Sequence, residues 1–577
     1  LRAAAWALRW QVSGRLHPRP APRRPALAGP LAQAEREAAR EGAMVRGLLC
    51  RLGAWSAAVW SASALGKADA SRSDAQALPA PRPVLELVRQ ALQPVLDELA
   101  QRHNMSFSFG FANSAGTLGL ASGVDNIWDG QRLTPASLIP LGSVTKPWTA
   151  VAIMQAVESG RLSLEDPAAA WIDPVLERLW GGIIRSEGMQ PSLEGLWGPS
   201  ASQVRIVDLL GMTSGFNDYD DALLQNRTLH NGGDDMGPFV YLRSAAQRGM
   251  ACQPRACVTY SGSNYVLLGL VLVKLSGVYS WQDMDQLSVL SPAMREAGRY
   301  AHTSFAKLGR CLQYPGFAHQ YAAYEDPRQV TPKTVYQDLF YDSCLNGWTM
   351  GNIATTGEDL ASFFYDLFAL AHRGTGFVNE TSLKRMMEFK NLDDGWCPAP
   401  AGGKCQYGLG LMRDQLGQDV FTLLDKGTEE DIRLDGHPGE DWGSGCSPCG
   451  YNAKYQFGIC VAYTSLFGMN CSADFRANLQ AVDEATCRLY DAVLSVVGGP
   501  RLACAAPPPL PILAVPCEFA KAAPAEAVRH GRREMRRIRK ELLQTEGHVV
   551  LPAKARDAAA ATSMASVASP ATLQYVY

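Results

Sequence analysis

A serine and a lysine three positions apart, Ser143 and Lys146, precede a stretch from Trp148 to Val157 in which only Thr149 and Gln155 are polar. Apolar nearly all round, that stretch predicts a buried helix. Gly160 follows it, in the place where a helix end often needs a left-handed residue. Residues three apart share a face of the first turn, so a hydroxyl and an amine meet at the mouth of a buried element. A serine hydroxyl needs a neighbour to take its proton before it attacks a carbonyl. Lysine does this only when partly neutral, a state that burial produces. Ser143 is therefore the candidate nucleophile and Lys146 its base. The free N–H groups and positive dipole end at such an entry also favour anions. Pro147 removes an N–H and biases Lys146 away from helical angles, so an irregular first turn is expected. A second copy of the spacing, Ser304-Phe-Ala-Lys307, lies in a polar, basic segment with no long apolar helix behind it.

Two further segments supply the remaining chemistry. Tyr260, in VTYSGSNYVLLG, heads another apolar helix and can carry a proton to a leaving group; taken alone it reads more readily as a packing residue. His437 lies in GHPGEDWG, between glycines that let backbone and substrate approach closely. A strand edge there would offer an N–H to a developing oxyanion, worth roughly 10² to 10³ in rate per donor.

Taken together, Ser143-Val-Thr-Lys146, Tyr260-Ser-Gly262 and His437-Pro-Gly439 resemble the serine β-lactamase-like family of class C β-lactamases, D-alanyl-D-alanine carboxypeptidases and related esterases and amidases. Leu209-Leu-Gly-Met-Thr-Ser-Gly215, Tyr265-Val-Leu-Leu-Gly269 and Tyr407-Gly-Leu-Gly410 look like family segments too, and the likeness runs from about residue 85 to 497. The resemblance implies a mixed α/β (α+β) fold: an antiparallel β-sheet flanked by helices, plus an all-helical lobe, with the site between them. It implies that Ser143 attacks a carbonyl, Lys146 or Tyr260 is the base, and backbone N–H groups of Ser143 and Glu440 hold the oxyanion. No cofactor or metal is expected. Two departures stand out. The second motif usually ends in Asn, where this chain has Gly262, with Asn264 two residues on as a substitute. The third usually has a hydroxyl in the middle, where this chain has Pro438 after His437. Both point away from β-lactam hydrolysis and towards an esterase, amidase or carboxypeptidase acting on a small molecule or peptide. The rival reading is a catalytically inactive scaffold or peptide-binding protein of the same fold.

Composition sets the bounds. The chain has 577 residues and a formal net charge of −2, which gives no global reason to expect nucleic acid or an anionic membrane as partner. Fourteen cysteines and N-x-[ST] sequons at Asn104, Asn226, Asn379 and Asn470 lean towards a secretory route. Residues 1–43, rich in Arg, Ala and Pro, read as a disordered or untranslated leader. Residues 44–70 have the charged, apolar, small-residue order of a signal peptide, too short to span a bilayer stably, so the expected destination is secreted or luminal. Cys446-Ser-Pro-Cys449 admits a zinc or redox reading, but there is no second C-x-x-C. Disulfides near Cys252 and Cys257, and near Cys446 and Cys449, would brace both site loops, with pairing undetermined by sequence.

The catalytic domain is expected over 84–500. Helices are expected over 84–101, 204–210, 265–276, 359–371 and 474–497, and strands over 106–111, 116–122, 407–411 and 457–464. Residues 171–203 give no clear period and read as an insertion. The Pro-rich, basic stretch 501–577 reads as a tail without repeats.

Overall fold

Alternation along Ser106-Phe-Ser-Phe-Gly-Phe111 sends three phenylalanines to one face and leaves small residues on the other. A computed structural model describes residues 82–219, 235–325, 334–344, 347–393, 405–413, 421–424, 427–464 and 475–505. In chain order the elements needed below are α1 (Arg82–His103), β1 (Ser106–Asn113), β2 (Gly116–Ser122), β3 (Ile139–Gly142), α2 (Thr145–Glu158), α3 (Ala168–Ser186), α4 (Gly262–Ser276), β4 (Thr303–Phe305), β5 (Ile353–Thr355), α5 (Gly357–Ala369), β6 (Lys390–Asn391), β7 (Gln406–Tyr407), β8 (Met412–Arg413), β9 (Phe421–Leu423), β10 (Asp435–Gly436), β11 (Gly439–Glu440), β12 (Ser444–Asn452), β13 (Phe457–Thr464), α6 (Phe475–Val497) and β14 (Leu502–Cys504).

The main sheet is antiparallel, ordered β6-β7-β8-β10-β12-β13-β1-β2, with β11 paired on β12. Phe107, Phe109 and Phe111 are fully buried and join Leu92 and Leu96 of α1 and Leu489 and Val493 of α6 in one apolar layer. The opposite face of β1 receives α5. A Cβ on Gly110 would collide with the carbonyl of Gly357, so helix and strand touch backbone to backbone there. Ser108 is polar for a reason: its Oγ accepts the N–H of Gly357 at the start of α5. Both faces are thus covered, as the mixed α/β expectation requires.

The second layer is helical. α2, α3 and α4 share a core with Leu209, Leu210, Tyr241 and Trp197. Trp148 of α2 stacks on Phe363 with ring centroids 4.4 Å apart, joining this lobe to α5. Of residues 171–203, expected as an insertion of unclear structure, 171–186 belong to α3; Pro174 and the pair Gly181–Gly182 blur its period, yet Ile172, Val175, Leu176 and Ile184 are buried in register. A short three-stranded sheet, β3-β5-β4, ends at the mouth of α2.

Two expectations are corrected. Residues 407–411 are not one strand: β7 turns at Gly410, whose φ of +81° suits glycine, and returns as β8. The folded unit also runs past 500. β14 pairs with β9, and Cys504 is bridged to Cys487 of α6. Of the tail placed at 501–577, residues 506–577 lie outside the described residues, as do the leader and signal segments. Bridges also join Cys252–Cys257, Cys311–Cys344 and Cys449–Cys460. A bridge closing a loop of this length constrains the unfolded chain by about 3 kcal/mol. Cys504→Ser is therefore expected to lower the thermal midpoint by several degrees without changing the site, measured by calorimetry on both proteins.

Candidate active site

Ser143 sits between β3 and α2, on a turn shaped by Gly142 (φ +58°). Thr145 Oγ donates to the Gly142 carbonyl at 2.7 Å and accepts the Ile353 N–H at 3.0 Å, which ties the turn to β5. The helix begins at Thr145, ahead of Pro147, and opens on a tight turn. Lys146 lies within it and its N–H reaches Ser143 O at 3.0 Å. Pro147 falls in the first turn, where its missing N–H would have had no partner.

Lys146 is fully buried, and its Nζ donates to Ser143 Oγ at 2.9 Å and to Met350 O at 3.4 Å. The Tyr260 ring lies 4.8 Å from the same nitrogen. Burial pulls the amine's pKa from 10.5 down to about 7, partly opposed by the charge of Asp218. A lysine of this kind is substantially neutral near pH 7, the state a base needs. Tyr260 OH donates to Ser143 Oγ at 3.0 Å, so the hydroxyl lies within reach of amine and phenol together.

His437 takes a different place from the one expected of a catalytic residue. It is fully buried, with Nδ1 against Pro438 O and Nε2 3.3 Å from Tyr407 OH. Burial and then Lys146 drive its pKa down to about 3, so the ring is neutral. With Pro438 O able only to accept, the proton is assigned to Nδ1, and Nε2 accepts from Tyr407. Its ring centroid is 6.1 Å from that of Tyr260. His437 therefore stands behind the phenol, and Ser143 Oγ is not among its hydrogen-bond partners.

Gly439 and Glu440 form β11, laid directly against the nucleophile turn. A Cβ at Gly439 would meet the Leu141 carbonyl, and one at Gly142 would meet the Glu440 carbonyl. Main chain touches main chain here, which brings the backbone of Glu440 beside that of Ser143. Gly439→Ala is expected to push β11 off the turn and lower kcat/KM by about 10² or more, the scale of one lost oxyanion donor. Steady-state kinetics against an unchanged fold by circular dichroism checks this.

The second motif also differs from expectation at its end. Asn264 is fully buried at the start of α4, its Oδ1 accepting from Ser214 Oγ at 2.6 Å and its Nδ2 lying 3.3 Å from Met212 Sδ. Its amide is committed to the protein and does not substitute for the missing motif residue. The space beside Gly262 is filled instead by Met350, Tyr219 and Asp218. Met350 Sδ lies 4.0 Å from Ser143 Oγ and 3.5 Å from Tyr219 OH. Sequence reasoning passed over all three residues. The signal was available in Gly262 itself, since a motif position without a side chain implies an occupant from elsewhere.

The second Ser-x-x-Lys copy is separated from this geometry by its backbone. Ser304 is in β4, paired with Ala354, and Lys307 follows in a loop. The Cys446 thiol is free and buried. Among the described residues Cys446, Cys449 and Cys460 form the one group of three soft ligands, with sulfurs within 4.8 Å. Two of the three, Cys449 and Cys460, are joined to each other, so Cys446 and Cys449 do not form a dithiol, and the zinc or redox reading that the spacing admitted loses that pair.

The sequence profile of the family described as Beta-lactamase matches residues 88–481, more than half of the chain. The chain belongs to the Beta-lactamase family. Within it, penicillin-binding protein 4 of Amycolatopsis lactamdurans is 29% identical over 173 residues, covering 30% of this chain and 39% of that protein. Penicillin-binding protein 4* of Bacillus subtilis is 26% identical over 206 residues, covering 36% and 40%. The matched region thus spans well under half the length of either relative. D-amino acid amidase of Ochrobactrum anthropi SV3, in a complex with D-phenylalanine, has the same fold: TM-score 0.51, 18% identity, 71% of this chain and 99% of that one. Family and fold together support a hydrolase of the serine β-lactamase type. No helix among the described residues is long and apolar enough to cross a membrane.

Proposed function

We propose that the protein is a serine hydrolase that cleaves an amide or ester through an acyl-enzyme on Ser143. The observation that carries this reading is the convergence on one hydroxyl: Lys146 Nζ at 2.9 Å and Tyr260 OH at 3.0 Å, with the amine wholly withdrawn from water. In the proposed sequence Lys146, neutral at the outset, takes the Ser143 proton as Oγ attacks the carbonyl carbon. The oxyanion is held by the N–H groups of Ser143 and Glu440. Tyr260 relays the proton to the leaving amine or alcohol, and water then releases the acyl group by the reverse path. His437 supports this from behind, as a neutral ring fixing Tyr407 beside Tyr260; their ring centroids are 5.8 Å apart.

Esterase or amidase action is favoured over β-lactam hydrolysis, because Met350 and Tyr219 crowd the place beside Gly262 where a motif amide would reach the substrate. A secretory route is part of the same proposal, supported by the disulfides and by the exposure of Asn104 and Asn379. The test is covalent. Incubation of the full chain with a fluorophosphonate probe, followed by peptide mass mapping, is expected to place the adduct on the peptide carrying Ser143. An adduct elsewhere, or none, overturns the reading in favour of a scaffold.

A further inference from the structure

Asp218 occupies the ground left by the truncated motif. Its Oδ1 accepts the N–H of Tyr219 at 2.8 Å and the N–H of Gly262 at 3.0 Å. A Cβ at Gly262 would stand 3.3 Å from that oxygen and 2.9 Å from both Met350 Cγ and Tyr219 Cε1. A side chain at residue 262 would displace Met350 and Tyr219 and press on Asp218, so glycine leaves this corner open to them. Its second oxygen, Oδ2, takes no hydrogen bond among the described residues, and the residue is only partly buried. Met350 touches both this corner and Ser143 Oγ.

Among the described residues, Lys146 and Arg248 are the cations that favour the carboxylate's charge. Lys146 is engaged with Ser143 and Met350 O, and Arg248 Nη1 donates to the Asp218 backbone carbonyl at 3.0 Å. Burial disfavours the carboxylate's charge, with Lys146 only partly offsetting it. A half-buried carboxylate with a spare oxygen gains most from a cation delivered by a ligand.

We propose that Asp218 is a specificity-determining residue of the acyl subsite, and that the acyl donor carries a protonated amine close to its reactive carbonyl, as aminoacyl esters and amides do. This rests on the Ser143 acyl-enzyme described above. The second motif ordinarily offers a neutral amide at this corner; here a carboxylate replaces it, and the preferred substrate changes from an N-acylated to a free-amine acyl group. Carboxylate-bearing acyl groups are repelled.

The test compares matched pairs. Phenylalanine and N-acetylphenylalanine methyl esters and p-nitroanilides, in both enantiomers, are assayed with the full chain between pH 6 and 9. The free-amine member is expected to exceed its acetylated partner in kcat/KM by at least tenfold, chiefly through KM. Asp218→Asn keeps an oxygen for the two backbone N–H groups and removes the charge. It is expected to lower the free-amine to acetylated ratio by tenfold or more, and Asp218→Ser to do the same. The ratio is the decisive readout, because any effect passed through Lys146 changes both members alike. Wild-type protein that labels with fluorophosphonate at Ser143 but shows a ratio near or below one overturns the subsite. So does a variant that loses both members equally. Absence of labelling and of all hydrolysis overturns the acyl-enzyme reading itself, and this inference with it.

Discussion

Ser143→Ala is expected to abolish covalent labelling and to lower kcat/KM by three orders of magnitude or more on any substrate the wild type turns over. The size follows from what the hydroxyl does in this geometry. It is the single atom shared by Lys146 and Tyr260, so its removal leaves two proton carriers with nothing between them. Residual rate would come from carbonyl polarisation and binding alone, and groups acting as a unit lose nearly everything when one member goes. Stability should change little, since Ser143 is partly exposed and gives up two hydrogen bonds and a long contact to Met350 Sδ. Thermal midpoints within a few degrees of wild type, with flat progress curves, are the expected pair of results. Retention of more than a tenth of the activity would show that another residue carries the reaction.

Lys146→Met is expected to act in opposite senses on activity and stability. Activity falls by about 10² to 10⁴, the usual contribution of a positioned base. Stability at neutral pH rises. In the unfolded chain a lysine holds its proton to about pH 10.4, whereas in the fold burial brings Lys146 down to about 7. Between those limits the unfolded chain binds the extra proton, so this position's contribution to stability rises with pH through the window and is a penalty at its lower edge. At roughly 1.4 kcal/mol per pKa unit, the penalty near pH 7 is on the order of a few kcal/mol. Methionine removes it at similar length. Calorimetry should find the variant several degrees more stable at pH 7 and the gap closing towards pH 10. A variant less stable than wild type at pH 7 would mean that the amine's bonds to Ser143 and Met350 O outweigh its desolvation. In the wild type, kcat/KM should climb with pH through about 7 as Lys146 loses its proton.

The legible parts of this protein were those with a period or a fixed spacing. Phe107, Phe109 and Phe111 declare a strand; Trp148 to Val157 declare a buried helix; Ser143 and Lys146 are three apart on one chain segment. Tyr260 was readable because it heads an apolar helix. Asp218 and Met350 were not, since one comes from a loop and the other from a single short helical turn whose places are set by tertiary packing, and nothing local marks a side chain that works by filling a neighbour's missing one. His437 was singled out because it lies between glycines at a motif position; its complete burial against Tyr407, which keeps the ring neutral, depends on packing that no local pattern shows. The pairing of Cys449 was likewise hidden, because its partner Cys460 lies across a hairpin.

The seam between Gly142 and Gly439 constrains how this protein can change over generations. Where two strips of main chain abut with no side chains between them, their spacing cannot be retuned by swapping one residue for a slightly larger or smaller one. If Ser143 forms the proposed acyl-enzyme, new substrate preferences would arise among Tyr219, Asp218 and Met350 beside Gly262, while the glycine seam is handed down unaltered.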